Sequence, residues 1–190
     1  MLFLFVIMAL ISVNKSFIDL QLNGLMVLIQ NQPMTIVAII IAYSFDTITL
    51  LLVSIVIIIY LWFSGDKIKV FLFGLTMAAN TVMIALLKWL IHTSRPVNAL
   101  VSESSNAFPS GHATSTVVFF GLLIYIFWFK INHKRMILSL YALAVLIIGF
   151  SRIYLNVHWL TDVLGGYLLG LSILTLSVII YEYYNKNYVK

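Results

Sequence analysis

Apolar runs of membrane-crossing length recur along this chain, and they leave it few folds. About 20 residues of helix are needed to cross roughly 30 Å of hydrocarbon. Runs of that order stand near residues 46–63, 70–92, 110–129, 137–155 and 159–181, with a shorter one near 2–13. Hydrophobic residues fill 63% of the 190 positions and charged residues only 9%, so a single water-facing core cannot account for the chain. The pattern predicts an all-α bundle of six transmembrane helices forming one integral membrane domain over residues 1–190. The first run is the weak member, because Met1 to Val13 reaches only about 20 Å as a helix. A signal peptide would explain a short apolar start, but no basic segment precedes this one and no small-residue cleavage site follows it.

Charge placement predicts an orientation. Seven of the eleven basic residues lie in three segments, Lys67 with Lys69, Lys130 with Lys134 and Arg135, and Lys186 with Lys190. These segments share one side if six helices alternate, and the positive-inside rule makes that side cytoplasmic, with both termini. Trp62 and Trp128 then mark inner helix ends, and Trp89 and Trp159 outer ones. The outer side keeps Lys15, Lys88, Arg95 and Arg152.

Residues 14–45 form the longest stretch between spans. Ile18, Leu22, Leu25, Met26 and Ile29 recur at helical spacing opposite Asp19, Asn23 and Gln30. This predicts an amphipathic helical segment near 16–45 on the outer surface, interrupted at Pro33; a core-packing stripe fits the same spacing. Gly166 and Gly170 make a small-xxx-small pair suited to close helix packing. No repeat, low-complexity linker or second domain is evident, and the absence of cysteine removes disulfides and thiolate chemistry.

Three polar clusters interrupt the apolar pattern at helix edges: Lys88 with Arg95-Pro96, Pro109-Ser110-Gly111-His112, and Ser151-Arg152 followed by His158 and Asp162. Charges in a membrane segment are costly and are functional candidates by default, although Lys88 or Arg152 alone could snorkel to lipid headgroups. Arg presents a planar fork to paired phosphate oxygens and Lys a point charge. Ser110 is placed to cap a helix whose first N–H groups make an anion seat, with Gly111 allowing close approach. His112 is then a pocket-rim group or a simple capping histidine. His158 and Asp162 are four apart, so they share a helix face. A carboxylate on one ring nitrogen leaves the other nitrogen available for attack. Three cations, two imidazoles and one carboxylate form a set suited to breaking a phosphate ester without a metal.

These residues resemble the three signature motifs of the type 2 phosphatidic acid phosphatase (PAP2) superfamily, in their expected spacings across residues 88–162. The flanking residues, Glu103-Ser104-Ser105 and Trp159 to Gly166, are most similar to phosphatidylglycerophosphatase B-type and undecaprenyl pyrophosphate phosphatase enzymes of the bacterial membrane branch. The resemblance implies a lipid phosphatase without cofactor or metal, its site on the extracytoplasmic face of the plasma membrane. It implies that His158 forms a phosphohistidine, Asp162 orients it, and His112 serves as acid and then base. Lys88, Arg95, Arg152, Ser110 and Gly111 would bind the phosphoryl oxygens, and His92 and His133 would be bystanders. The implied partners are the bilayer and a lipid phosphate, with phosphatidylglycerophosphate, undecaprenyl pyrophosphate and phosphatidic acid all fitting and nucleic acid having no role. A phosphotransferase using the same residues is the nearest alternative; a transporter would line a path across the bilayer instead of one face.

Overall fold

A computed structural model describes residues 2–188. Met1 and Lys190, used in the length and charge arguments above, fall outside the described residues. Eight α-helices follow one another: α1 (Leu2–Asn14), α2 (Phe17–Ile29), α3 (Gln32–Ser44), α4 (Thr47–Phe63), α5 (Lys67–Leu90), α6 (Gly111–Phe127), α7 (Lys134–Tyr154) and α8 (Leu160–Tyr188). The expected apolar runs agree with α4 to α8 to within a few residues, apart from the far end of α8.

Four segments are each long and apolar enough to cross a membrane: α5, α6 with the turn after it, α7 and α8. The number rises to six if each of two bent pairs counts as one span, α1 with α2 at 65° and α3 with α4 at 47°. The short first run is therefore not a span by itself. Its 13 residues rise only about 20 Å, and it lies along the half of α8 that begins at Leu160, with Phe5 and Leu169 in one apolar cluster.

Helix α6 is the centre of the bundle and packs against α4, α5, α7 and α8. Its approach to α8 is closest, because Gly166 and Gly170 face the backbone carbonyls of Ser110 and Thr114. Phe73, Val118 and Leu122 fill the core between α5 and α6.

The segment near 16–45 is helical, as expected, but as two helices with the opposite facing to a soluble amphipathic helix. Asp19 is buried and Ile18, Leu25 and Ile29 are exposed. Asn23 donates to Asn98 Oδ1, and Gln30 donates to the Tyr154 carbonyl. The physical reason is the solvent: hydrocarbon is as apolar as the side chains facing it, so the polar face turns inward to find partners. Pro33 sits in the first turn of α3, where its missing N–H costs nothing.

The clusters and the basic segments occupy opposite ends. Lys69 and Lys88 lie near the two ends of α5, about 28 Å apart at 1.5 Å per residue. Lys69 is paired with Asp66 at 2.6 Å and shares a cavity with Trp128 and Glu182. Lys67 lies over Trp62 and Lys134 over Trp128.

Candidate active site

The loop between α5 and α6 has to fold back over the helix ends, and Thr93 closes it. Its carbonyl accepts from Ala107 N at 3.0 Å and its hydroxyl oxygen from Phe108 N at 2.7 Å. Asn106 ties the same loop to α5: its carbonyl accepts from Lys88 Nζ, and its Nδ2 donates to the Lys88 carbonyl at 2.6 Å. Lys88 and the start of α6 are thereby brought to one end of the bundle.

Arg95 is spread across that loop and the next. Nε donates to the Ser105 carbonyl at 2.8 Å, Nη2 to Ser105 Oγ at 3.1 Å, and Nη1 to the Val157 carbonyl at 2.6 Å. Nη1 also lies 3.3 Å from His158 Nε2. On the far side of the imidazole, Nδ1 is 3.4 Å from Asp162 Oδ2. A neutral ring with Nδ1–H donating to Asp162 and the Nε2 lone pair turned toward Arg95 satisfies both contacts. Burial and the positive charges of Arg95, Lys88 and Arg152 hold His158 well below its usual 6.5.

Asp162 is completely buried, and its carboxylate is correspondingly well supplied with donors. Oδ2 also accepts from Trp159 N at 2.9 Å, and Oδ1 accepts from Ser12 Oγ at 2.6 Å. The Asp162 carbonyl takes the N–H of Ser110 at 3.0 Å, which locks the starts of α6 and α8 together. Ser110 occupies the N-cap position of α6, but its hydroxyl makes no capping bond; Oγ is buried without a partner. Its N–H is thus committed to α8, leaving Oγ and the later first-turn N–H groups, beginning at Gly111, as the donors for an anion.

Arg152, in the last turn of α7, is 2% exposed. One terminal nitrogen meets Glu103 Oε1 at 2.5 Å, and Nε is buried without a partner. Glu103 also approaches Arg95 at 3.8 Å, so one carboxylate bridges two of the three cations. His112 faces another way: Nε2 is 2.9 Å from the Ala42 carbonyl and 3.6 Å from Asp46 Oδ1, at the α3–α4 joint.

All eight predicted residues, Lys88, Arg95, Ser110, Gly111, His112, Arg152, His158 and Asp162, therefore lie at one end of the bundle. His112 and Lys88 act on the charge of His158 without a hydrogen bond to it. His92 and His133 are exposed and outside the cluster. Among the described residues no group of three His, Asp or Glu side chains is placed to hold a metal ion. Sequence reasoning missed the supports: Ser12, Asp19, Thr93, Asn106 and Ala42 carry no motif. Glu103 did leave a signal, as the only acidic residue between Asp66 and Asp162.

Comparison with known proteins bears on this geometry directly. A 102-residue segment is 37% identical to phosphatidylglycerophosphatase B of Bacillus subtilis (strain 168), covering 51% of this chain and 50% of that protein. A 74-residue segment is 38% identical to Escherichia coli (strain K12) YbjG, provisionally named an undecaprenyl-diphosphatase, covering 39% of this chain and 34% of that protein. The matched segments thus span half or less of these curated relatives. The crystal structure of a transmembrane PAP2-type phosphatidylglycerolphosphate phosphatase from Bacillus subtilis superimposes with a TM-score of 0.87 at 28% identity, over 95% of this chain and 94% of that one. The PAP2 superfamily pattern covers residues 69–186; that range holds all three clusters and the helices that carry them, and the chain belongs to the PAP2 superfamily.

Proposed function

We propose that this chain is a multi-pass lipid phosphate phosphatase that works through a phosphohistidine. The observation that carries the reading is the line Asp162–His158–Arg95, in which a buried carboxylate holds one ring nitrogen and a guanidinium marks where the other nitrogen meets an anion. His158 Nε2 attacks phosphorus, forming a P–N bond as the P–O bond to the lipid breaks. His112 gives its proton to the departing oxygen. A water then loses a proton to His112 and attacks the same phosphorus, the P–N bond breaks, and inorganic phosphate leaves. Because Nε2 of His112 is held by the Ala42 carbonyl, Nδ1 is the nitrogen that exchanges the proton.

Lys88, Arg95 and Arg152, with Ser110 Oγ and the N–H groups starting at Gly111, stabilise the charge spread over the equatorial oxygens. The fold positions the three cations before substrate arrives, and Glu103, which sits on Arg152 and Arg95, has to move aside for the phosphoryl group. A headgroup at the bundle end with its tail in the bilayer suits a phosphate monoester or a diphosphate of a lipid. The names of the relatives point to phosphatidylglycerophosphate and undecaprenyl diphosphate as the first substrates to try.

The basic end is cytoplasmic by the positive-inside rule, and the site opens on the extracytoplasmic face of a bacterial plasma membrane. Purified protein in detergent should release inorganic phosphate from these lipids in the presence of EDTA and be inhibited by vanadate. His158→Ala should be inactive. Wild-type turnover by His158→Ala, or activity that EDTA abolishes and a divalent cation restores, would refute the mechanism.

A further inference from the structure

The joint between α1 and α2 grips the start of α8 through buried polar groups. Ser12, Asp19 and Asp162 are each no more than 1% exposed. Asp19 accepts from both Thr161 N and Thr161 Oγ1 at 3.0 Å, and it closes a capping box with Ser16. Between them, Lys15 takes a left-handed conformation with φ 53°, turns the chain, donates to the Ser12 carbonyl at 2.6 Å and lies over the Trp159 ring at 5.3 Å. Thr161 and Trp159 precede Asp162 in sequence, by one and three positions. Three residues of one joint thus hold the turn that carries the carboxylate.

Ser12 differs from its neighbours because it reaches the carboxylate itself. Its hydroxyl donates to Asp162 Oδ1 at 2.6 Å, while Oδ2 serves His158 Nδ1 and Trp159 N. With both oxygens held, the carboxylate plane cannot rotate, and the direction in which it holds the imidazole is set from α1. We propose that Ser12 is a positioning residue for phosphoryl transfer: it fixes Asp162, and through Asp162 the angle at which His158 presents Nε2. Ser12 and the rest of the joint lie outside residues 69–186, the part of the chain that matches the superfamily pattern. The bent helix pair at the start of the chain therefore completes the site as well as covering α8.

This inference rests on the phosphatase reading, and its test separates the two. Ser12→Ala, Ser12→Thr and the control Ser172→Ala are compared with wild type for kcat and KM of phosphate release from a lipid phosphate in one detergent. Ser172 bonds only within α8, to the Leu168 carbonyl, and its variant should match wild type. Ser12→Ala should lower kcat roughly tenfold or more, the scale for losing a support of a charged catalytic group, with KM within about twofold because no phosphate contact is lost. Ser12→Thr keeps a hydroxyl and should recover most of kcat. A Ser12→Ala kcat equal to wild type, or a failure of both Ser12 variants in kcat, KM and thermal stability together, overturns the positioning role. An inactive wild-type protein overturns the phosphatase reading and this inference with it.

Discussion

Gly166→Ala adds one methyl group where α6 and α8 are closest. A Cβ there would lie 2.7 Å from the Ser110 carbonyl oxygen, 2.9 Å from Ala113 Cβ and 3.1 Å from Thr114 Oγ1. Ordinary contact begins near 3.4 Å, so α8 must retreat by the difference from 2.7 Å, about 0.7 Å. The Ser110 N to Asp162 carbonyl bond, now 3.0 Å, would then stretch beyond the usual ~3.2 Å limit of such a bond. Overpacking costs about 1–3 kcal/mol, and the stretched bond adds about 1 kcal/mol. The same movement separates Ser110 from Asp162 and His158, the groups that the proposed mechanism brings to bear on one phosphoryl group. A misplacement near 1 Å costs up to about 100-fold in rate, so kcat should fall between roughly 10- and 100-fold with a clear loss of thermal stability. Phosphate release and thermal unfolding in the same detergent would measure both. Gly74→Ala is the matched control, since its Cβ would meet only Ile58 Cδ1 at an ordinary 3.5 Å and should leave activity unchanged. If Gly166→Ala is as active and stable as Gly74→Ala, the close approach of α6 and α8 does not set the geometry of the site.

Two further outcomes follow from the contacts of Arg95 and the environment of His158. Arg95→Lys keeps the charge but loses the fork that satisfies the Ser105 and Val157 carbonyls; at about 1–3 kcal/mol for an orphaned buried group, kcat/KM should drop on the order of 100-fold, and near-wild-type efficiency would show that only charge matters. In a titration followed by NMR, the His158 ring should protonate well below 6.5, with Arg95→Gln moving it upward and Arg95→Lys leaving it low. Because the unfolded chain binds this proton first, His158 adds stability at neutral pH that declines as pH falls below 6.5; a wild-type ring titrating at or above 6.5 would contradict the electrostatics.

Helices α4 to α8, and the gathering of the eight motif residues at one end of the bundle, were readable from sequence because each rests on a local signal. Apolar runs set by bilayer thickness give α4 to α8, and fixed spacings at helix ends give the clusters. The facing of α2 was left open by the sequence, since its stripe has the same period whether the apolar side meets a protein core or lipid. Only the partners decide: Asp19 finds Thr161, and Asn23 finds Asn98. Ser12, Asn106 and Ala42 were illegible for a related reason. They act through one hydroxyl, one amide and one backbone carbonyl, and their partners lie 18 to 150 positions away in the chain. No local pattern encodes such a meeting.

The bridging position of Glu103 sets up a competition at the site. Lys88, Arg95 and Arg152 supply three positive charges, and Glu103 and Asp162 two negative ones. Asp162 is committed to His158, Trp159 and Ser12, so Glu103 is the carboxylate that occupies the arginines. It meets Arg152 at 2.5 Å and Arg95 at 3.8 Å, and its side chain is 31% exposed, so it can swing outward at modest cost. In the proposed mechanism an arriving phosphoryl group needs the same donors and has to displace it. Glu103→Gln removes the competing charge while keeping the shape of the side chain. Vanadate and inorganic phosphate should then bind more tightly, by about tenfold if one charge-assisted hydrogen bond of ~1.5 kcal/mol no longer has to be broken. Thermal stability without ligand should fall, because Arg152 is left buried without its counter-ion. Saturating phosphate should restore more stability to the variant than to wild type. Equal anion affinity in the two proteins, measured by protection against thermal unfolding across a phosphate titration, would show that the arginines bind the phosphoryl group without first releasing Glu103.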